Sequence, residues 1–275
     1  MTASVVQHSE SRARIVWGNS SRMSLLGNGE ARLILTSPPY FSETTEAHFL
    51  SSREHQTDFE GVSQQVTAYA LSLRPVFEEC ARILCEGGAL VMQTKLLRYG
   101  EFLVPLADLH RQIAAQAGFR LISITQWRSP FRRVQHRSGF ERAPRTGNFR
   151  SSDPEQFCVF AHPCGVMPRE RIGIEPGERA RLASPLWEQR QTVSTAAHRH
   201  GAPSAVVARF IELFSLPGEL VVDPFAGHGT TLIEAQRHGR RAVGYDIDPS
   251  CVARTEERLQ SYTDPTRRKR PEICA

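Results

Sequence analysis

The sequence lacks any long apolar run. Nothing in its 275 residues approaches the roughly 20 apolar residues that a membrane-crossing helix requires, and the opening MTASVVQHSESRAR has no apolar stretch of the kind a secretory signal carries. The expectation is a cytoplasmic protein. Paired metal-ligating cysteines are also missing: Cys80, Cys85, Cys158, Cys164, Cys251 and Cys274 form no CxxC, and no Cys/His spacing resembles a zinc finger. They read as reduced thiols, and no metal is expected. There is no internal repeat and no low-complexity tract.

What is present is ordinary globular composition, 40% hydrophobic and 23% charged, enough to bury a substantial core. Lysine and arginine number 34 against 29 acids, a formal charge of +5. This favours an anionic partner, and the distribution says more than the total. Between residues 128 and 150 the sequence RSPFRRVQHRSGFERAPRTGNFR sets seven arginines against the one acid Glu141. Arg128, Arg132, Arg133, Arg137, Arg142 and Arg145 are the candidate nucleic-acid contacts, since guanidinium forks suit phosphate and guanine and stack on rings. A solvated basic loop is the plainer reading.

Short apolar stretches at 14–18, 32–36, 89–93, 120–127, 156–161, 219–223 and 241–246 read as seven strands. Helical periodicity separates them. Val66 to Ile83 recur at three- and four-residue steps, with Pro75 expected to kink or divide the helix and Gly87-Gly88 to stop it. Phe102 to Ala117 mark a second helix closed by Gly118. Pro203 opens a third, and Asp248 caps a fourth that starts at Pro249. Alternating strands and helices predict an α/β fold, a seven-stranded mostly parallel sheet covered on both faces. Segments 42–62 and 162–200 have no clear period.

ELVVDPFAGHGTTLIEAQRHGRRAVGYDID, residues 219–248, is the most informative stretch. A strand runs into Asp223, a glycine-bearing turn leads to a helix from about Thr230, and a second strand ends in Asp246: the first β-α-β unit of a nucleotide-binding fold. The turn is not GxGxxG, and an acid at the strand tip repels phosphate but welcomes an ammonium or a sulfonium. Asp246 stands where ribose hydroxyls can be accepted. A ligand that joins adenosine to an amino-acid cation is S-adenosylmethionine.

The second motif is TSPPY, residues 36–40. Alone it is punctuation, because proline ends strands and Ser-Pro starts turns. Set before DPFAGHGTT, it resembles the catalytic motif of the β-class DNA amino-methyltransferases, in which the catalytic motif precedes the cofactor motif. The resemblance extends over most of the chain: WGNS (17–20), ECARILCEGGALVM (79–92), TQWRSP (125–130) with DPEQFCVF (153–160), and HRHGAP (198–203) are similar to further elements of that family.

The resemblance implies a class I methyltransferase fold in permuted order, S-adenosylmethionine as cofactor and double-stranded DNA as substrate. A restriction endonuclease acting on the same site and a homodimer are further expectations. Ser37, Pro38, Pro39 and Tyr40 are the implied reaction centre. Asp223, Pro224, Phe225, Ala226, Gly227, Gly229, Thr230, Thr231 and Asp246, with Asn19, are the implied cofactor residues. One catalytic domain is expected over 1–275: a catalytic half at 12–127, a DNA-contact region at 128–200, a cofactor half at 201–262 and a basic, disordered tail at 263–275.

The amino group of a base is a poor nucleophile because its lone pair is conjugated with the ring. Ser37 Oγ and the Pro38 carbonyl can each accept an amino hydrogen and so free that lone pair, while Tyr40 offers a face for a base lifted from the duplex. In relatives Ser-Pro-Pro goes mainly with cytosine N4 and Asp-Pro-Pro with adenine N6, so cytosine N4 is expected, with adenine N6 the alternative. Other readings are an RNA amino-methyltransferase, a nucleic-acid-binding relic, an NAD-binding oxidoreductase, and a C5-cytosine enzyme using Cys164 of the Pro163-Cys164 pair.

Overall fold

The computed structural model describes residues 13–39, 59–99, 102–128, 149–151, 155–166, 177, 184–188 and 203–263. All seven strands read from the sequence are present. They are β1 (Ala13–Trp17), β2 (Ala31–Thr36), β3 (Leu84–Thr94), β6 (Arg120–Arg128), β8 (Glu155–Ala161), β10 (Leu220–Asp223) and β11 (Arg241–Asp246). A short β9 (Leu186–Glu188) adds an eighth, in the order β1-β11-β10-β2-β3-β8-β6-β9. Strands β1, β11, β10, β2 and β3 are parallel neighbours, and β8 alone is antiparallel to both β3 and β6.

Three-residue strands β4 (Leu97–Tyr99), β5 (Phe102–Val104) and β7 (Phe149–Ser151) make a second, antiparallel sheet. These and β9 are too short for their periodicity to stand out in the sequence.

Helices cover both faces. Against one lie α1 (Phe59–Ile83) and α2 (Leu106–Gln116), which bury Tyr69, Leu73, Phe77, Ile83 and Ile113 on Ile34, Leu90, Met92 and Val222. Against the other lie α3 (Ser204–Phe214), α4 (Thr230–Arg237) and α5 (Pro249–Thr263), which bury Val206, Phe210, Leu232, Val252 and Leu259 on Leu33, Leu35, Val91 and Val221. Strands buried on both sides read as continuous apolar runs, as RLILT and ELVVD do.

Helix boundaries differ from expectation in three places. The helix α1 is not divided at Pro75, which is exposed and follows the exposed Leu71, so water can take the carbonyl that Pro75 leaves without an N–H. It ends at Ile83, before Gly87-Gly88. That pair instead lies within β3, where pairing with β2 skips between Ala31 and Leu33; a Cβ on Gly88 would stand 2.9 Å from the Arg32 carbonyl. Phe102 belongs to β5 and not to α2, because Pro105 holds the preceding residue extended. The helices opening at Pro203 and Pro249 agree with the sequence, and Asp248 Oδ1 accepts the Ser250 N–H at 2.8 Å as the cap.

Among the described residues no helix is long and apolar enough to cross a membrane. Cys80, Cys85, Cys158, Cys164 and Cys251 are free thiols, and no group of three or more described His, Cys, Asp or Glu could hold a metal ion.

Candidate active site

Four adjacent parallel strands deliver the expected residues to one edge. Asn19 follows β1, Asp246 ends β11, Asp223 ends β10, and Ser37 follows β2, in that spatial order. Residues more than two hundred positions apart in the chain thus become neighbours at the carboxyl ends of the strands, where open α/β sheets bind ligands.

Asp223 is 4% exposed, and its Oδ1 accepts from Thr36 Oγ1 at 2.7 Å and from the Phe225 N–H at 3.1 Å. Burial raises its pKa to about 6, opposed by hydrogen bonds from Thr36, Thr231 and the Phe225 backbone; the Asp246 charge adds to the rise. A buried carboxylate held by neutral donors is poised to gain from a cation. Asp246 is half-buried, and its pKa is raised by burial against hydrogen bonds from the Asp248 and Gly227 N–H groups, at 2.9 and 2.8 Å. Its carboxylate therefore braces the glycine turn from the next strand.

The turn itself needs glycine. Gly227 and Gly229 have φ of +50° and +72°, and Gly229 is the N-cap of α4. Thr255 of α5 donates to the Gly227 carbonyl at 2.9 Å and closes against Gly229. A Cβ at Gly227 would meet nothing within 4 Å, and the same holds at Gly18, whose N–H donates to the Asp246 carbonyl at 2.9 Å. Open space at these two glycines, one in the turn after Asp223 and one beside Asp246, leaves room for a ligand along the strand ends. Beside this space Ile247 and Trp17 are exposed, 70% and 47%, and Trp17 Nε1 donates to the Ile247 carbonyl at 3.2 Å. Trp17 opens the WGNS element and Ile247 follows Asp246, although neither side chain is among the cofactor residues expected from the sequence.

Pro224 and Ala226 are buried, Phe225 and Thr230 half-buried, and Thr231 buried at the first turn of α4. Asn19 is exposed, with Oδ1 accepting the Ser21 N–H at 2.8 Å. Ser37 and Pro39 are half-buried and Pro38 is buried. Tyr40, Arg132, Arg133, Arg137, Arg142 and Arg145 lie outside the described residues, as does the basic tail from 264 onward, while Thr263, expected in the tail, ends α5. Arg128 closes β6 on the same edge of the sheet. Cys164 does not join the site: it follows Ala161, which pairs with Ala89 and Arg120 at the opposite end of the strands. That placement removes the C5-cytosine reading.

Residues 31–257 match the family model described as DNA methylase. The chain belongs to that family. This methylase is 26% identical to the Type II methyltransferase M.MjaI of Methanocaldococcus jannaschii, over 90% of each chain. It is 25% identical to M.MthZI of Methanothermobacter thermautotrophicus, over 90% of this chain and 76% of that one. Its fold is shared with the TTHA0409 protein of Thermus thermophilus complexed with S-adenosyl-L-methionine (TM-score 0.68, 21% identity, 92% and 95% of the two chains). It is shared also with the PvuII DNA methyltransferase, named as cytosine-N4-specific (TM-score 0.65, 17% identity, 92% and 93%). The methylase has the class I methyltransferase fold and is an S-adenosylmethionine-dependent DNA amino-methyltransferase of the N4/N6 type.

Proposed function

We propose that the methylase transfers a methyl group to the exocyclic N4 amine of cytosine in duplex DNA, at a centre built from Ser37 and Pro38 with Tyr40 beside the lifted base. The observation that carries this is the hydrogen bond from Thr36 to Asp223: it joins TSPPY to the tip of the strand that opens the glycine turn. Asp223 is assigned to the cationic amino-acid end of the cofactor, Asp246 to the ribose, the main chain of Gly227 to Thr231 to the turn around it, and Asn19, Trp17 and Ile247 to the rim around adenine.

When bound, S-adenosylmethionine supplies an electrophilic methyl on a sulfonium. The chain's own work is positional. Ser37 Oγ and the Pro38 carbonyl each accept an amino hydrogen of the base, pulling the nitrogen out of conjugation, and become better acceptors as positive charge grows on it. Two prolines bring no N–H donors that would compete. The proton leaves an already cationic nitrogen, so water suffices to take it.

Serine at position 37 supports cytosine over adenine, in line with the name of the PvuII enzyme that shares the fold. Arg128 and the arginines that follow it are assigned to DNA contact, and the Type II names of M.MjaI and M.MthZI support pairing with a restriction endonuclease of the same site. Ser37→Ala is the direct test: methyl transfer should fall by about 100-fold or more while DNA affinity holds. Equal losses of both would contradict an acceptor role.

A further inference from the structure

Behind TSPPY lies a buried polar chain that the transfer itself does not use. Tyr69 Oη stands 2.7 Å from the Pro39 carbonyl oxygen and 2.6 Å from His110 Nε2, and His110 Nδ1 stands 2.8 Å from Thr94 Oγ1. The three side chains come from α1, α2 and the end of β3, and all are buried.

The hydrogens in this chain have one consistent arrangement. A carbonyl only accepts, so the single hydroxyl hydrogen of Tyr69 goes to Pro39. Tyr69 must then accept from His110, which puts the ring hydrogen on Nε2. Burial lowers the His110 pKa to about 3, so the ring is neutral and Nδ1 is bare. Nδ1 accepts from Thr94. Every donor points the same way, from Thr94 through His110 and Tyr69 to Pro39.

We propose that Tyr69, oriented by His110 and Thr94, is a positioning residue for methyl transfer, tying the Pro39 carbonyl to the helical layer and so fixing where Ser37 and the Pro38 carbonyl stand. The inference rests on TSPPY being the reaction centre. The segment leaves β2 at Thr36, and neither proline has an N–H with which to bond to a neighbouring strand. The two prolines can be tied by main-chain hydrogen bonds only through their carbonyls, and Tyr69 holds one of these from outside. The acceptor role stays with the Pro38 carbonyl, and Tyr69 fixes the carbonyl that follows it. A displacement of about 1 Å at a reacting group costs about 100-fold in rate, so the tie matters for chemistry and not only for packing.

The test compares single-turnover methylation of unmodified plasmid DNA at saturating cofactor for Tyr69→Phe, Ile113→Val and Ser37→Ala, with melting temperature and cofactor affinity for each. Ile113→Val trims the same core from α2 without touching the chain. Tyr69→Phe should be about 10- to 100-fold slower with cofactor affinity unchanged, whereas Ile113→Val should lose stability and keep its rate. Adding His110→Asn to Tyr69→Phe should slow transfer little further, since the path to Pro39 is already cut.

A wild-type rate in Tyr69→Phe, a loss no larger than that of Ile113→Val, or additive losses in the double variant would overturn the positioning role. If Tyr69→Phe melts below the assay temperature, Thr94→Val removes the first donor alone and should slow transfer by a smaller factor; an unchanged rate there overturns the role equally. An unimpaired Ser37→Ala would instead sink the reading of TSPPY. A slow Ser37→Ala beside a normal Tyr69→Phe would sink only the role of Tyr69.

Discussion

Thr36 Oγ1 donates to Asp223 Oδ1 at 2.7 Å, across the junction of two strands whose residues are 187 positions apart. One hydroxyl thereby links the last residue of β2 before Ser37 to the acid that ends β10. Thr36→Val keeps the shape and removes the donor, leaving Asp223 with Thr231 and the Phe225 N–H. The expected cost is about 1–3 kcal/mol of unfolding free energy in denaturant titration, together with weaker cofactor binding in calorimetry. A variant as stable as the parent would mean that the bond contributes nothing.

Asp223 makes the protein pH-sensitive with a definite sign. Its folded pKa, about 6, lies above the ordinary 3.8. Between those values the folded state holds a proton that the unfolded chain has released. The stabilising contribution is complete below 3.8 and is lost as pH rises through 6, a swing of about 3 kcal/mol. Cofactor binding runs the other way, since a cationic ligand requires the carboxylate. Asp223→Asn should therefore raise the melting temperature of the cofactor-free protein at pH 8 and abolish most cofactor affinity, and parental affinity should fall as pH drops below 6. A flat affinity profile from pH 8 to 5 would remove Asp223 from the cofactor site.

Gly229 stands at φ +72°, and a Cβ there would lie 2.3 Å from Thr255 Cγ2. Gly229→Ala should destabilise by about 2–4 kcal/mol from strain and overlap together. Adding Thr255→Ser keeps the hydroxyl that bonds Gly227 and deletes the colliding methyl, so thermal melts should show partial recovery. No recovery would assign the whole loss to the backbone angle.

Much of this was legible in the sequence because the parallel strands are uniformly apolar and the two acids sit at their ends. RLILT and ELVVD declared buried strands, and Asp223 and Asp246 declared the edge where a ligand lies. What the sequence hid was side-chain geometry. Tyr69 falls on the apolar stripe of α1 and reads as core, although its hydroxyl reaches Pro39. His110 reads from the sequence as a structural or solvated histidine with no part in proton transfer, and it is buried between Tyr69 and Thr94. Asp246 reads as a ribose acceptor, yet it also holds the Gly227 N–H. The strands β4, β5, β7 and β9 depend on pairing between short segments, and three residues carry no period.

The identity of the methylated nucleoside tests the central claim most directly. Unmodified duplex DNA is incubated with labelled S-adenosylmethionine and the parent protein or Ser37→Ala, digested to nucleosides and resolved. N4-methylcytosine is expected from the parent and almost none from Ser37→Ala. N6-methyladenine would contradict the choice of base, and 5-methylcytosine, or an undiminished yield from Ser37→Ala, would contradict the mechanism.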